Sequence, residues 1–364
     1  MGTQSVELDF LKTIYSKKHD EQSLLQAIDS LLNMHDRLSA KAFSCYIGTS
    51  FFKSLLANEF EEVRIISRNG NVYFFEYMRQ IKSKKSVEEL VGKFYIVENC
   101  EYENVFTVIT IDSSAFFSNG LLRFFCKFYP QISLTFITHK KLKKIMVDFR
   151  DTHALKDFTI VRTSMKSRVG KKVMSSVNWP TFTLEKAFDW VNEENGWFER
   201  LQVKAQKGNS PIFSMSISRD GIVKSDNFFG LIYKNIISAI SKTVHDNVVF
   251  FGKRARLENG GEIRPVSLVF EPNHFKLVEE NKKFIEAMDK MKSASVSVIH
   301  GNPYVQLSVF DYYDGSSYDM WVLSNDKIII VPQLKSTFQA IKRLINHVFD
   351  NYYEADIKEY EGDA

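Results

Sequence analysis

Cations collect in one part of this sequence. Lys140, Lys141, Lys143, Lys144, Arg162, Lys166, Arg168, Lys171 and Lys172 belong to a stretch with eleven Lys or Arg against three acids, in a chain whose net charge is only +4. A polyanion is the natural partner of such a stretch, because each neutralised phosphate releases condensed counterions. Ser164, Ser167 and Gly170 are mixed with the cations, which suits hydroxyl and backbone contacts to phosphate oxygens. No helix-turn-helix, zinc-finger, RNP or KH signature accompanies them, so base-specific readout is not expected. A solvated helix face followed by a polar linker is the ordinary alternative for the same residues.

Two smaller groups could support catalysis. Asp112, His139 and Ser164 each follow or close an apolar run that reads as a strand. In a parallel sheet such positions share one rim, where ligands bind. An acid, a histidine and nearby cations there could hold a phosphate or move a proton. Asp112 could equally cap the helix after it. The second group is Asp189 with Gln202 and Lys204. The pattern D…(Q/E)-x-K resembles the metal-binding core of restriction-type endonucleases over about 16 residues. That resemblance implies a divalent metal, Mg²⁺, held by the acidic positions, with the lysine polarising the attacking water. Asp189 departs from it by falling in a helix-like segment, and alternation also makes Gln202 and Lys204 the solvent side of a plain strand.

Asp311, Asp314 and Asp319 surround a turn, Asp314-Gly315, and lack EF-hand spacing. Neither G-x-G-x-x-G nor G-x-x-x-x-G-K-[ST] occurs, nor does G-x-S-x-G, C-x-x-C or H-x-x-x-H. The leading expectation is therefore a non-enzymatic nucleic-acid-binding protein, for DNA or RNA, or a subunit of a nucleic-acid-handling assembly. A metal-dependent nuclease is the alternative, and only it would need Mg²⁺; no other cofactor or resident metal is expected. A protein-interaction or self-assembling scaffold, pairing with a protein partner or forming a homo-oligomer, is the third reading.

The elements that must position these residues read as α+β with an α/β portion. N-terminal helices are expected at 6–15, at 20–34 with Asp20 placed to cap it, and at 39–57, then a hairpin turning on Asn69-Gly70. Apolar runs at 106–111, 132–138 and 158–162 alternate with helical periods at 115–129 and 140–149, which predicts a small parallel sheet with right-handed crossovers. The second half reads as a mixed or antiparallel sheet with amphipathic helices, including helices at 184–192 and 227–243 and a strand at 247–251. It closes in a β-meander and helix over 294–353. Domains are expected at 1–168 and 181–354, joined by a basic linker at 169–180 and followed by an acidic, frayed tail at 355–364.

Composition sets outer bounds. The 364 residues are 44% hydrophobic and 25% charged, which is ordinary for a globular protein. The 31 Phe either fill cores or stack on bases. Cys45, Cys100 and Cys126 are widely spaced and read as reduced core thiols. No membrane span or signal peptide is evident, giving the expectation of a cytoplasmic, bacterial-type protein without a membrane partner.

Overall fold

The computed structural model describes residues 14–35, 37–82, 87–128, 131–155, 157–167, 173–175, 182–194, 196–207, 210–256 and 262–360. The chain divides into two units, Met1–His245 and Asp246–Ala364. The first runs α1 (Glu21–Met34), β1 (Ala40–Ile47), α2 (Thr49–Leu56), β2 (Val63–Asn69), β3 (Val72–Lys82), β4 (Val87–Glu98) and β5 (Val105–Thr110). Next comes α3, a π-helical turn Phe116–Leu122 continuing as Arg123–Lys127, then β6 (Ile132–Leu134), α4 (His139–Thr152), β7 (Asp157–Ser167), β8 (Val173–Ser175) and β9 (Phe182–Thr183). It continues with α5 (Leu184–Glu193), β10 (Gly196–Lys207), β11 (Ser210–Ser218), β12 (Ile222–Ser225) and α6, which passes from Phe229–Ile232 through a π turn, Tyr233–Ile237, into Ser238–Gly252 and crosses the boundary after His245.

Twelve strands form one sheet, in the order β2-β3-β4-β5-β1-β12-β11-β10-β7-β8, with β6 on β1 and β9 on β7. Every pairing among the described residues is antiparallel. The expected parallel sheet is thus corrected. The runs at 106–111 and 158–162 became β5 and β7, but four strands separate them, and 132–138 yields only the three-residue β6. Their apolar character has another cause: a strand between two layers of helices is apolar on both faces whatever its direction. Segment 40–47 shows the same effect, being a strand where a helix was expected. Phe43, Cys45 and Ile47 enter one core, while the small Ala40 and Ala42 enter the other. The expected strand at 247–251 is the end of α6. The expected linker does not divide the chain, because β7 and β10, on either side of it, pair along their length.

Local expectations at hairpins and caps held. Asn69-Gly70 joins β2 to β3, with Gly70 at φ +58°. Asp20 caps α1 by accepting from the Ser23 N–H at 2.8 Å.

Helices cover the sheet unevenly. One face of β1–β5 packs on α2 and α3 through an aromatic core, in which Phe43 meets Phe125 edge-on at 5.3 Å. The other face packs on α1 through Leu24, Leu25 and Ile28. Across β7, β10, β11 and β12 that second face continues under α4 and α5, where Phe149 meets Phe213 at 5.4 Å. On the first face, no helix among the described residues covers these four strands. The abundant Phe therefore fills cores, and the sheet keeps one half-face open.

The second unit is a six-stranded antiparallel sheet, β14-β15-β16-β17-β13-β18, made by β13 (Val266–Val269), β14 (Ala294–His300), β15 (Val305–Asp311), β16 (Ser317–Ser324), β17 (Lys327–Pro332) and β18 (Asp356–Glu359). Two helices, α7 (Val278–Asp289) and α8 (Phe338–Asn351), complete it. The expected meander and closing helix are β14–β17 and α8. The expected frayed tail is instead partly ordered: β18 pairs with β13, and Glu359 binds the buried Arg254 guanidinium at 3.2 Å. Of the cysteines, Cys45 is a core thiol, whereas Cys100 and Cys126 are exposed. No helix among the described residues is long and apolar enough to cross a membrane.

The hairpin from β11 to β12 borders the open half-face and turns at Asp220-Gly221. Gly221 has φ +71°, and a Cβ there would lie 2.4 Å from the Thr135 methyl. Gly221→Ala is expected to destabilise the protein by about 2 kcal/mol or more, read as a lower Cm in urea unfolding.

Candidate functional site

On the open half-face lies a cavity of about 540 Å³. Its polar lining comes from Arg162, Thr163 and Ser164 of β7, Glu199, Arg200 and Gln202 of β10, Ser216 and Ser218 of β11, and Asp220, Lys224 and Asp226 around β12. Strand alternation explains why these side chains share a face. Leu201, Val203, Ile217 and Val223 fill the covered face, so Gln202, Ser216 and Lys224 point the opposite way.

Register then sets them side by side. Arg162 pairs with Gln202, Gln202 with Ser216, Ser216 with Lys224, Lys224 with Lys41, and Lys41 with Thr110. This is one unbroken polar row across six strands, spanning about 24 Å at the usual strand spacing. A second row sets Ser164, Arg200 and Ser218 alongside.

Charge on this face is predominantly positive. Glu199 is engaged by Lys166 at 3.1 Å and by the Trp197 indole N–H at 2.8 Å. Arg162, Arg200, Lys204, Lys224 and Lys41 form no ion pair with another described residue and outnumber Asp220 and Asp226. Such a face can take up a phosphate or other oxyanion through charge-assisted hydrogen bonds, with serine hydroxyls and the Gln202 amide as neutral donors.

Lys41 does not line the cavity but pairs in register with Lys224, which does. It is only 4% exposed, and its ammonium donates to the carbonyls of Asp112 at 2.5 Å and Ser39 at 3.1 Å. Like charges directly opposite on adjacent strands are unfavourable. Burial first, and Lys224 second, push the Lys41 pKa down to about 8, against the pull of Asp112 and Asp226. Burial likewise raises the Asp112 carboxyl, opposed by the Lys93 N–H that it accepts.

The residues expected from sequence are dispersed. Arg162 and Ser164 line the cavity, and Gln202 and Lys204 lie on the same face. Lys166 is there too, paired with Glu199. Lys140, Lys141, Lys143 and Lys144 ride on α4, over the opposite face, where Lys143 meets Asp189 at 3.5 Å. The basic run is therefore split between two faces of the sheet. Arg168, Lys171 and Lys172 lie outside the described residues.

The other two groups are not assembled. Asp189 projects from α5, whose apolar side packs on the covered face, so the sheet separates it from Gln202 and Lys204. His139 also lies on the covered side, its ring 4.6 Å from Phe188 and 5.4 Å from Phe198. Asp112 follows β5, five strand steps or about 24 Å from Ser164. The shared rim needed parallel strands; antiparallel ones put successive carboxyl ends on opposite edges.

Arg200, Ser216, Ser218, Lys224 and Lys41 escaped the sequence reading. The signal was present as alternation, since the outward positions of R-L-Q-V-K, S-M-S-I-S and I-V-K-S are all cationic, serine or glutamine apart from Ile222. In the second unit, Asp311 and Asp314 hold Arg343, at 2.8 Å and 3.2 Å, and Asp319 accepts from Gln333 at 2.9 Å. Among the described residues, no group of three His, Cys, Asp or Glu could hold a metal ion.

The buried lysine makes stability depend on pH. Its folded pKa of about 8 lies below the ordinary lysine value, so between the two the unfolded chain binds more protons. Stability from this group is lowest below about pH 8 and recovers as pH rises towards about 10.5. The Lys41→Met protein should lack this rise, checked by comparing urea midpoints of both proteins across that range. The chain matches no family model and no curated protein sequence.

Proposed function

We propose that this protein binds nucleic acid by its phosphate backbone, using the open half-face of the large sheet. One observation carries the reading: the row of Arg162, Gln202, Ser216 and Lys224, flanked by Arg200, whose cations have no ion-pair partner among the described residues. Among the described residues no aromatic side chain lines the cavity, so they offer bases no stacking platform there. Contacts to phosphate position a strand without reading its sequence. The interaction is therefore sequence-independent. The nuclease reading gains no support, since Asp189 stands apart from Gln202 and Lys204.

A second reading follows from size. A cavity of about 540 Å³ falls within the range of small-ligand sites, so a phosphorylated small molecule could occupy it. Competition by nucleoside monophosphates against an oligonucleotide distinguishes the two.

Fluorescence anisotropy with labelled oligothymidylate is expected to show affinity falling with salt. Three phosphate contacts on a single strand correspond to a log–log slope of about −2. Arg162→Glu with Lys224→Glu should weaken binding at least tenfold, whereas Lys140→Glu with Lys144→Glu on α4 should leave it nearly unchanged. The reverse pattern would move the interface to α4 and sink the proposal.

A further inference from the structure

We propose that Lys41 sets the affinity of this anion site and that binding is coupled to its protonation. This inference rests on the reading above. Lys41 lies directly opposite Lys224 in the register of β1 and β12, and Lys224 lines the cavity. Lys41 touches no ligand itself. Its positive charge lies beside Lys224 on the neighbouring strand, so an anion held by Lys224 meets the field of both.

The surroundings make the charge conditional. Lys224 faces Lys41 from β12, Asp226 from the end of β12, and Asp112 from the end of β5, while Thr110 is its neutral neighbour on β5. Neither carboxylate makes an ion pair with the Lys41 ammonium, whose two hydrogen bonds go to neutral backbone carbonyls. Those carbonyls accept from an amine as well as from an ammonium, so loss of the proton breaks neither contact. With the site empty, burial first and repulsion from Lys224 second favour the neutral amine, consistent with a pKa of about 8. An anion on Lys224 offsets that repulsion and favours the ammonium. By linkage, the occupied protein takes up protons near pH 8, and affinity falls as pH rises through that region. Lys41 is thus a positioning residue for charge.

The test titrates labelled oligothymidylate into the full-length protein from about pH 6.5 to 9.5 at fixed ionic strength. Wild type is expected to weaken about three- to tenfold over that range. Lys41→Arg, which keeps its charge, should hold its neutral-pH affinity throughout. Lys41→Met should show the weak affinity at every pH. Calorimetry of the wild type in two buffers of different ionisation enthalpy should record proton uptake near pH 8, a readout that needs no variant to fold. A flat wild-type profile without proton uptake overturns the role of Lys41, as does a Lys41→Arg protein that weakens like wild type. Lys224→Ala separates the two claims. If that variant binds as well as wild type at neutral pH, the anion site itself is misplaced. If it loses binding while the wild-type profile is flat, the site stands and only the coupling fails. Failure of the wild type to bind at all overturns both.

Discussion

Antiparallel register is the constraint on which this structure depends. Backbone hydrogen bonds between neighbouring strands decide which side chains become neighbours, and a shift of one residue would send each to the opposite face. Here they align Arg162, Gln202, Ser216, Lys224 and Lys41, residues scattered over more than half of the first unit. Apart from the buried Lys41, the row sits where no helix among the described residues gives cover. On β1–β5 both faces are closed, by α1 on one side and by α2 and α3 on the other. On β7, β10, β11 and β12 helices among the described residues close only one face, and the residues facing outward are mainly cationic, serine or glutamine.

Energetically the arrangement is uneven. Apolar packing on the covered face supplies the driving force for folding these strands, through Leu201, Val203, Ile217 and Val223 against α4 and α5. The border of the open half-face works against it at one point, where the buried Lys41 and the exposed Lys224 oppose each other. Burying an ammonium without a carboxylate partner is costly, and the lowered pKa is how the protein relieves it. Where a local rule of stability is broken while the surrounding packing is sound, a functional site is a common cause.

Much of the local structure was legible in the sequence. The cap at Asp20, the turn at Asn69-Gly70, the amphipathic α4 and α5, and the final meander and helix all follow from short-range signals. Topology was not. Strands apolar on both faces look alike in parallel and antiparallel sheets, and Phe43, Tyr46 and Ile47 have a spacing that also suits a helix. The site was legible only in fragments. Arg162, Ser164, Gln202 and Lys204 were visible as candidates, each attached to a different idea, because the sheet that unites them is made by long-range pairing. The run from Lys140 to Lys172 looked like one patch because a linear count cannot see that α4 and β7 place their cations on opposite sides of a sheet.

Lysine footprinting tests the central claim most directly. The protein would be acetylated with and without oligothymidylate, and the modification of each lysine read by mass spectrometry. Bound oligonucleotide should protect Lys224 and Lys204 on the open half-face while leaving Lys140 and Lys144 on α4 as reactive as before. Protection of the α4 lysines with Lys224 and Lys204 unchanged would contradict the account.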